Sequence, residues 1–106
     1  MIRRGDIRWF RFASPDKRRP VVVLGPELVL DSLSQIPVIP FSTKTRDLAW
    51  EVELTEKDGL PSSCVLKPEW IRSVDRTLLG PWIAALPEPR WPQVRTALLS
   101  ALGFEE

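Results

Sequence analysis

The chain has 106 residues, enough for one modest hydrophobic core, and we expect residues 1–106 to form a single domain. It contains no histidine and one cysteine, which excludes an internal disulfide and removes the commonest zinc ligand and the commonest general base near neutral pH. No apolar run has the length of a signal peptide or a membrane span, so we expect a cytoplasmic protein with no membrane attachment, metal or other cofactor.

The first part of the chain predicts two strands joined by a polar loop. Residues 7–12 alternate loosely and are rich in aromatic side chains, which indicates a strand. A polar loop is expected over 13–19. Pro20 then begins the apolar, β-branched run 21–24, which is typical of a buried strand.

The middle of the chain predicts further short strands. A second buried strand is expected over 36–41, with Pro37 and Pro40 at its ends or on an edge. The clean alternation over 50–54 predicts a half-exposed strand. Three more short strands are expected over 63–66, 70–74 and 79–86, the last interrupted at Gly80-Pro81.

The last segment predicts a single amphipathic helix. Apolar side chains fall on one helical stripe, and Gly103 supplies a stop signal. Six or seven short strands with one C-terminal helix indicate a small, mainly β fold whose sheet curls into a barrel. The residues of the helical stripe are Trp91, Val94, Leu98, Ala101 and Leu102.

Basic residues are concentrated in the first part of the chain, although the net charge of the whole chain is only +1. Residues 1–19 hold seven arginines and lysines against two aspartates, and the remainder is net acidic. Such a division can create a local face that attracts anions. The alternative, which charge alone favours, is that these cations are solvated faces of strands.

Five sequence blocks resemble the MazF/PemK family of toxin ribonucleases and occur in the order found there, over nearly the whole chain. They are RGDI at 4–7, RPVVVL at 19–24, VIPFST at 38–43, WEVEL at 50–54 and IRSVDR at 71–76. The resemblance implies a small β-barrel related to the Src-homology-three and CcdB folds, with a C-terminal helix. It also implies a cytoplasmic homodimer and a cognate, MazE-like antitoxin as partner.

The same resemblance implies sequence-selective cleavage of single-stranded RNA without a metal ion, by attack of a ribose 2′-hydroxyl on its own phosphate. Arg19 matches the family's catalytic arginine. A guanidinium suits this role because it is always cationic and binds two phosphate oxygens at once. The structural alternative is that Arg19 caps a strand edge or pairs with Glu51 or Glu53.

The family's second catalytic position is usually a threonine, and here it corresponds to Ser42, with Thr43 next to it. Both residues offer a hydroxyl that can donate to a phosphate oxygen. The alternative is that these are loop hydroxyls that cap a turn. For Ser42 the resemblance favours the catalytic role over the turn-capping role. For Thr43 it favours neither.

Two departures from the family affect the remaining site residues. The loop over 13–18 is shorter than usual and retains only Asp16, Lys17 and Arg18 as candidate substrate-binding groups. Trp70 stands where the family has glutamine, and it could stack a base or belong to the core.

Lys67 and Glu69 match the basic and acidic positions that the PemK branch uses for acid–base work. A carboxylate base needs a raised pKa to work efficiently at neutral pH, and the sequence shows none, so Glu69 is equally well interpreted as a surface charge. Proton transfer could therefore be weak.

A cationic track for an RNA backbone is also predicted. Arg72 could instead pair with Asp75. The remaining tryptophans lie on apolar stripes typical of a core or a dimer interface; they are Trp9, Trp50, Trp82 and Trp91. The residues of the predicted track are Lys17, Arg18, Lys44, Arg46, Lys67 and Arg72.

Two other functions stay open at this point. The first is a CcdB-like toxin on the same barrel, acting by binding DNA gyrase. The second is a non-catalytic barrel that binds RNA or a partner, having lost proton transfer with the shortened loop.

Overall fold

The computed structural model describes residues 1–13 and 17–104, and these ranges contain seven β-strands and one α-helix. The prediction of a small, mainly β fold with a C-terminal helix is confirmed. The elements in chain order are β1 (Asp6–Phe12), β2 (Lys17–Val23), β3 (Gln35–Ser42), β4 (Val52–Leu54), β5 (Cys64–Leu66), β6 (Arg72–Asp75), β7 (Trp82–Ala85) and α1 (Trp91–Ala101).

Strand β3 is central to the sheet because it pairs with three other strands. Neighbours follow the order β4-β5-β3-β2-β1-β7, and β6 also pairs with β3, all of them antiparallel. On one edge of β3, β6 lies beside residues 35–38 and β5 lies beside Phe41 and Ser42. This change of partner splits the sheet, and the two parts curl around the core as a half-barrel.

The valines of β2 have apolar surroundings on both faces of the sheet. Val21, Val22 and Val23 are completely buried. Val22 belongs to one core cluster together with Val94 of α1, whereas Val21 and Val23 belong to a second cluster on the other face. Because both faces are covered, this stretch is continuously apolar instead of alternating.

The polar residues before these valines belong to the same strand. The predicted loop over 13–19 therefore extends too far at its C-terminal end. β2 begins at Lys17, and Lys17, Arg18 and Arg19 pair with the last three residues of β1. Backbone pairing requires no apolar side chain, and the side chains of Lys17 and Arg18 are exposed. Polarity therefore concealed the start of the strand.

The two prolines of β3 lie inside the strand, which corrects their prediction as strand ends. The Pro37 carbonyl accepts a hydrogen bond from Leu24, just beyond the end of β2, at 2.9 Å. The Pro40 carbonyl accepts from the Lys67 N–H at 2.9 Å, where the edge changes partner from β6 to β5. The amide and carbonyl of a strand residue point to the same side. Each missing N–H therefore faces a break in the ladder, where no partner strand needs a donor.

The first sequence block is explained by the packing of Trp91 against the backbone. Gly5 has a φ of 89°, and a Cβ there would lie 3.0 Å from the Trp91 ring. The Arg4 guanidinium carbon lies 3.8 Å from the centre of the same ring. Asp6 accepts from the Arg3 N–H at 2.9 Å, which closes the turn into β1.

Helix α1 begins at Trp91, the first residue of the predicted stripe, and Gly103 follows its end with a φ of 81°. Its buried residues are Val94 and Ala97, whereas Leu102 of the predicted stripe is exposed, because only the inner turns face the sheet. The helix also packs against the turn Pro68–Trp70. Within residues 1–13 and 17–104, no helix is both long and apolar enough to cross a membrane.

Candidate active site

Arg19 lies near the start of β2, two residues before the buried valines. β2 pairs with β3 in a register that joins Val21 to Pro40. Extending that register by two residues brings Arg19 opposite Ser42, the last residue of β3. The pairing of two central strands thus brings together the two side chains that the resemblance singled out.

Arg19 separates two clefts on this surface, and Lys17 lines both clefts with it. The first cleft has a volume of about 250 Å³ and also contains Ser42 and Thr43. The second cleft has a volume of about 260 Å³ and also contains Trp70 and Arg72. Because the guanidinium forms a wall of both clefts, an extended chain could occupy the two clefts with one of its phosphates at Arg19.

The Ser42 hydroxyl is held in a defined direction. Ser42 is 7% exposed, and its Oγ accepts a hydrogen bond from the Lys44 N–H at 3.1 Å. A hydroxyl that accepts through one lone pair keeps its own proton available for donation. Thr43, in contrast, is exposed to solvent and lines the first cleft.

Trp70 forms the floor of the second cleft and lies against two cations. It ends a short 3₁₀ turn, Pro68–Trp70, and is 38% exposed. The Arg19 guanidinium carbon lies 5.3 Å from its ring centre and the Lys67 Nζ lies 5.5 Å from it. The core interpretation of Trp70 is therefore wrong, because the turn places a large part of the ring at the surface.

Lys67 is buried, so the structure does not bring it onto the exposed cationic track. It is 1% exposed, and its ammonium forms an ion pair with Glu51, whose side chain is 5% exposed. Burial raises the pKa of the Glu51 carboxyl group. Hydrogen bonds from Lys67, Thr45 and the Arg46 backbone, together with the Lys67 charge, outweigh that effect and lower the pKa from 4.5 to about 2. Glu51 is thus a permanently ionised partner of Lys67, not of Arg19.

Glu69 has a partner on the same segment as Glu51. Its Oε1 accepts a hydrogen bond from the Trp50 indole N–H at 3.0 Å. Among the described residues that line the two clefts, Glu69 does not appear, although its neighbour Trp70 does. Lys67 and Glu69, the predicted acid–base pair, are therefore bound to different partners: Lys67 to Glu51 and Glu69 to Trp50.

The other predicted cations lie around the clefts. Lys44 and Arg46 are exposed on the loop that follows β3. The Arg18 guanidinium carbon lies 4.5 Å from the centre of the Trp9 ring, and that of Arg72 lies 5.2 Å from the centre of the Phe12 ring. Asp16 lies outside the described residues.

Asp75, the alternative partner of Arg72, accepts hydrogen bonds from the backbone N–H and the hydroxyl of Thr77, at 2.9 and 2.7 Å. It therefore caps the turn that follows β6.

Several lining residues of the first cleft were not predicted. Burial raises the pKa of the Cys64 thiol to about 11, and the charges of Asp58 and Glu53 add to that effect, so the thiol stays protonated. Its place in the cleft follows from pairing between β5 and β3, which no short sequence pattern reveals. The unpredicted lining residues are Trp9, Pro20, Phe41, Pro61, Ser62 and Cys64.

Comparison with known proteins agrees with this arrangement. Residues 3–102 match the model of a family described as PemK-like, MazF-like toxin of type II toxin–antitoxin system. The chain is 32% identical over 103 residues to a probable endoribonuclease MazF2 of Mycobacterium tuberculosis, covering 96% of this chain and 99% of that protein.

Solved structures give the same result. The Mycobacterium tuberculosis toxin MazF-mt6 superposes with a TM-score of 0.85 at 27% identity, over 95% of this chain and 99% of that one. The MazE-MazF structure from Deinococcus radiodurans has a TM-score of 0.80 at 25% identity, over 98% of both chains. This chain therefore belongs to the PemK-like, MazF-like family of type II toxin–antitoxin toxins.

Proposed function

We propose that this chain is a sequence-selective endoribonuclease that cleaves single-stranded RNA without a metal ion. The observation that carries the proposal is that Arg19 lines two clefts, the first of which also contains Ser42. The similarity to a protein named a probable endoribonuclease supports the same activity. Single-stranded RNA is bound by positively charged grooves with aromatic side chains on which bases stack, and the two clefts with Arg19, Lys17 and Trp70 have this character.

In the proposed reaction the 2′-hydroxyl oxygen of one nucleotide attacks its own 3′-phosphate. A bond forms between that oxygen and phosphorus, and the bond from phosphorus to the 5′-oxygen of the next nucleotide breaks. The 2′-hydroxyl proton passes to a base, and a proton is supplied to the leaving 5′-oxygen. The products are a 2′,3′-cyclic phosphate and a free 5′-hydroxyl.

Arg19 stabilises the negative charge that develops on the non-bridging phosphate oxygens. Its guanidinium can donate to two of these oxygens, and the Trp70 ring beside it restricts where it can lie. The Ser42 hydroxyl donates to one of the same two oxygens, since its Oγ is already oriented by the Lys44 N–H. Thr43 contributes a second, exposed hydroxyl at the same cleft.

We assign the proton acceptor to Glu69. Since Trp50 already donates to Oε1, Glu69 would accept the 2′-hydroxyl proton through Oε2. Asp16 stays a prediction as a substrate-binding residue of the shortened loop. Glu51 and Glu69 are engaged by Lys67 and Trp50 respectively.

RNA binding in this proposal uses exposed cations and one exposed ring. Trp70 stacks a base in the second cleft, and Arg72 meets the phosphate beyond it. Lys17, Arg18 and Lys44 follow the backbone on the side of the first cleft.

We also propose that the toxin is a cytoplasmic homodimer, held inactive by a MazE-like antitoxin. The neighbour from Deinococcus radiodurans was solved as MazE-MazF, which supports an antitoxin partner. Large apolar side chains on the surface support a second copy of the chain that covers them. Leu28, Leu78 and Trp82 are 97%, 62% and 57% exposed.

The direct test is to incubate the purified protein with a long single-stranded transcript in EDTA and to map the cut sites and end groups. We expect cuts at a recurring short sequence, with cyclic phosphate and 5′-hydroxyl ends. Arg19→Ala should lower the cleavage rate by roughly 100- to 1,000-fold, as for the loss of one transition-state donor. Arg19→Lys keeps the charge but not the paired donors and should retain only part of the rate.

Ser42→Ala and Ser42→Thr form the matched pair for the hydroxyl. The alanine variant should lose activity, whereas the threonine variant should keep it. Uncut RNA at every sequence, or equal cutting by wild type and Arg19→Ala, would contradict the proposal. Cleaved DNA trapped on gyrase with intact RNA would instead favour a CcdB-like toxin.

Glu69→Gln separates a base from a structural acceptor. Glutamine can still accept the Trp50 hydrogen bond but cannot take a proton. We expect its cleavage rate to fall by roughly 100-fold or more, as for loss of a general base. A rate within twofold of wild type would show that Glu69 only holds Trp50.

A further inference from the structure

The ion pair between Lys67 and Glu51 is buried beside the proposed site, yet the reaction uses neither charge directly. Both side chains have almost no exposed surface. A buried ion pair seldom adds stability over a well-packed apolar pair, because removing two charges from water costs more than their attraction returns. The reason for this pair is therefore to be sought in the groups that it holds in place.

Glu51 is bound on one side by the loop that follows β3. Its carboxylate accepts from the Thr45 hydroxyl and from the Arg46 N–H, the latter at 3.2 Å to each oxygen. This loop carries Lys44 and Arg46, two of the cations predicted to contact RNA. One carboxylate thus holds the loop at Thr45 and Arg46.

Lys67 is bound on the other side to the elements beneath the second cleft. Its N–H donates to the Pro40 carbonyl at 2.9 Å, and its carbonyl accepts from the Trp70 N–H at 2.9 Å. Its ammonium lies 5.5 Å from the centre of the Trp70 ring, against which Arg19 also lies. Lys67 therefore joins Glu51 to the turn that presents Trp70.

A second contact runs parallel to this one. Trp50 and Glu51 are neighbours, and they bind Glu69 and Lys67 respectively. The segment 50–51 is thereby fastened at two points to the turn that places Trp70 beside Arg19.

We propose that Lys67 and Glu51 are positioning residues for RNA cleavage. Their ion pair holds the loop with Lys44 and Arg46 in fixed relation to Trp70 and Arg19, so that both sides of the site contact one RNA strand at once. Lys67 itself contacts no RNA and transfers no proton. This inference rests on the proposed function and differs from the role that resemblance to the PemK branch implies for Lys67.

The test compares Lys67→Met, Glu51→Leu and the double variant, on an oligonucleotide containing a mapped cut site. Each single variant leaves one unpaired buried charge, whereas the double variant leaves an apolar pair. We expect kcat to fall roughly 10- to 100-fold in both single variants, as when a supporting residue is lost, with KM within about twofold. The double variant should show the same kcat as the singles while recovering their loss of folding stability.

Salt dependence provides a matched control for direct contact. Lys44→Met removes an exposed cation and should reduce the slope of log affinity against log salt by roughly 0.7, the value for one phosphate contact on a single strand. Lys67→Met should show the same slope as Glu51→Leu, because both variants release the same loop and neither side chain contacts a phosphate itself. Lys57→Met, on the exposed turn Glu56–Asp58, should leave both kcat and slope unchanged.

Hydrogen exchange tests the link without RNA. The Arg46 amide should exchange faster in Lys67→Met as well as in Glu51→Leu, because Glu51→Leu removes its acceptor and Lys67→Met removes the partner that holds this acceptor in place. Unchanged exchange in Lys67→Met would overturn the proposal whether or not the protein cuts RNA. A kcat loss confined to Lys67 variants with a smaller salt slope would indicate direct contact. Full activity per folded molecule in all three variants would show that the pair is only structural.

Discussion

Two cations lie against the same indole ring but in opposite surroundings. The Arg19 guanidinium and the Lys67 ammonium are within 5.3 and 5.5 Å of the centre of the Trp70 ring. Arg19 borders two open clefts, whereas Lys67 is 1% exposed and paired with Glu51. The difference teaches that charge near the site does not define a role: an accessible cation can bind substrate, and a buried, paired one can only organise its neighbours.

The largest effect expected from this contrast concerns stability. Lys67→Met removes one member of a buried ion pair and leaves Glu51 ionised without its partner. We expect its free energy of unfolding to fall by about 3–5 kcal/mol. Arg19→Met changes a half-buried residue at the edge of a cleft and should alter that free energy by less than about 1 kcal/mol. Urea denaturation of the two variants measures both values, and equal losses would remove the distinction.

A smaller loss of stability is expected at acid pH, because protonation removes the charge of Glu51 but leaves its side chain in the protein. The pKa of Glu51 is lowered in the folded protein from 4.5 to about 2. Its contribution to stability is therefore complete above about 4.5 and declines as the pH falls from there towards 2. Urea unfolding across this range should show wild type losing more stability than Glu51→Gln.

Asp58, whose pKa is also lowered through its hydrogen bond from Arg90, contributes the same acid loss to both proteins and cancels in that comparison. Parallel stability curves for wild type and Glu51→Gln would show that the ion pair contributes nothing in this pH range.

The smallest effect concerns the ring that the two cations share. Trp70→Leu should weaken binding of a single-stranded RNA by about 1–3 kcal/mol, the usual range for loss of one base–aromatic stack. Trp70→Phe keeps a ring in the second cleft and should retain most of the affinity. Fluorescence anisotropy with a labelled oligonucleotide measures both. Equal affinities for the leucine and phenylalanine variants would mean that Trp70 stacks no base.

The sequence predicted well those parts of the fold that local patterns control. The valines of β2 predicted a buried strand, and the apolar stripe that begins at Trp91 predicted the helix. Polar strand residues were missed, since Lys17, Arg18 and Arg19 have a loop-like composition although their backbone pairs with β1. The prolines of β3 were misplaced for a related reason: only the end of β2, for Pro37, and the positions of β5 and β6, for Pro40, show where a missing N–H is tolerated.

The candidate site was predicted in part. Arg19 and Ser42 could be identified by resemblance, and the register of β2 and β3 brings them together. The pairing of Lys67 with Glu51 joins the residue before β4 to the residue after β5, and no spacing rule links them. A signal was nonetheless present in the sequence: Lys67 stands between Leu66 and Pro68 in an apolar context, where an unpaired ammonium would be costly.

The pairing of β1 with β7 has a consequence for the order of folding during synthesis. β1 pairs with β2 on one edge, but its other edge is covered only by β7, which follows after most of the described chain. Contacts between such distant segments form slowly, and an unpaired edge strand attracts other chains in the meantime. A ribosome that translates this sequence would therefore release both strands of the Arg19–Ser42 pair well before the sheet that supports them can close. For a toxin, that delay means that Arg19 and Ser42 are synthesised some time before the folded site that contains them can bind a substrate.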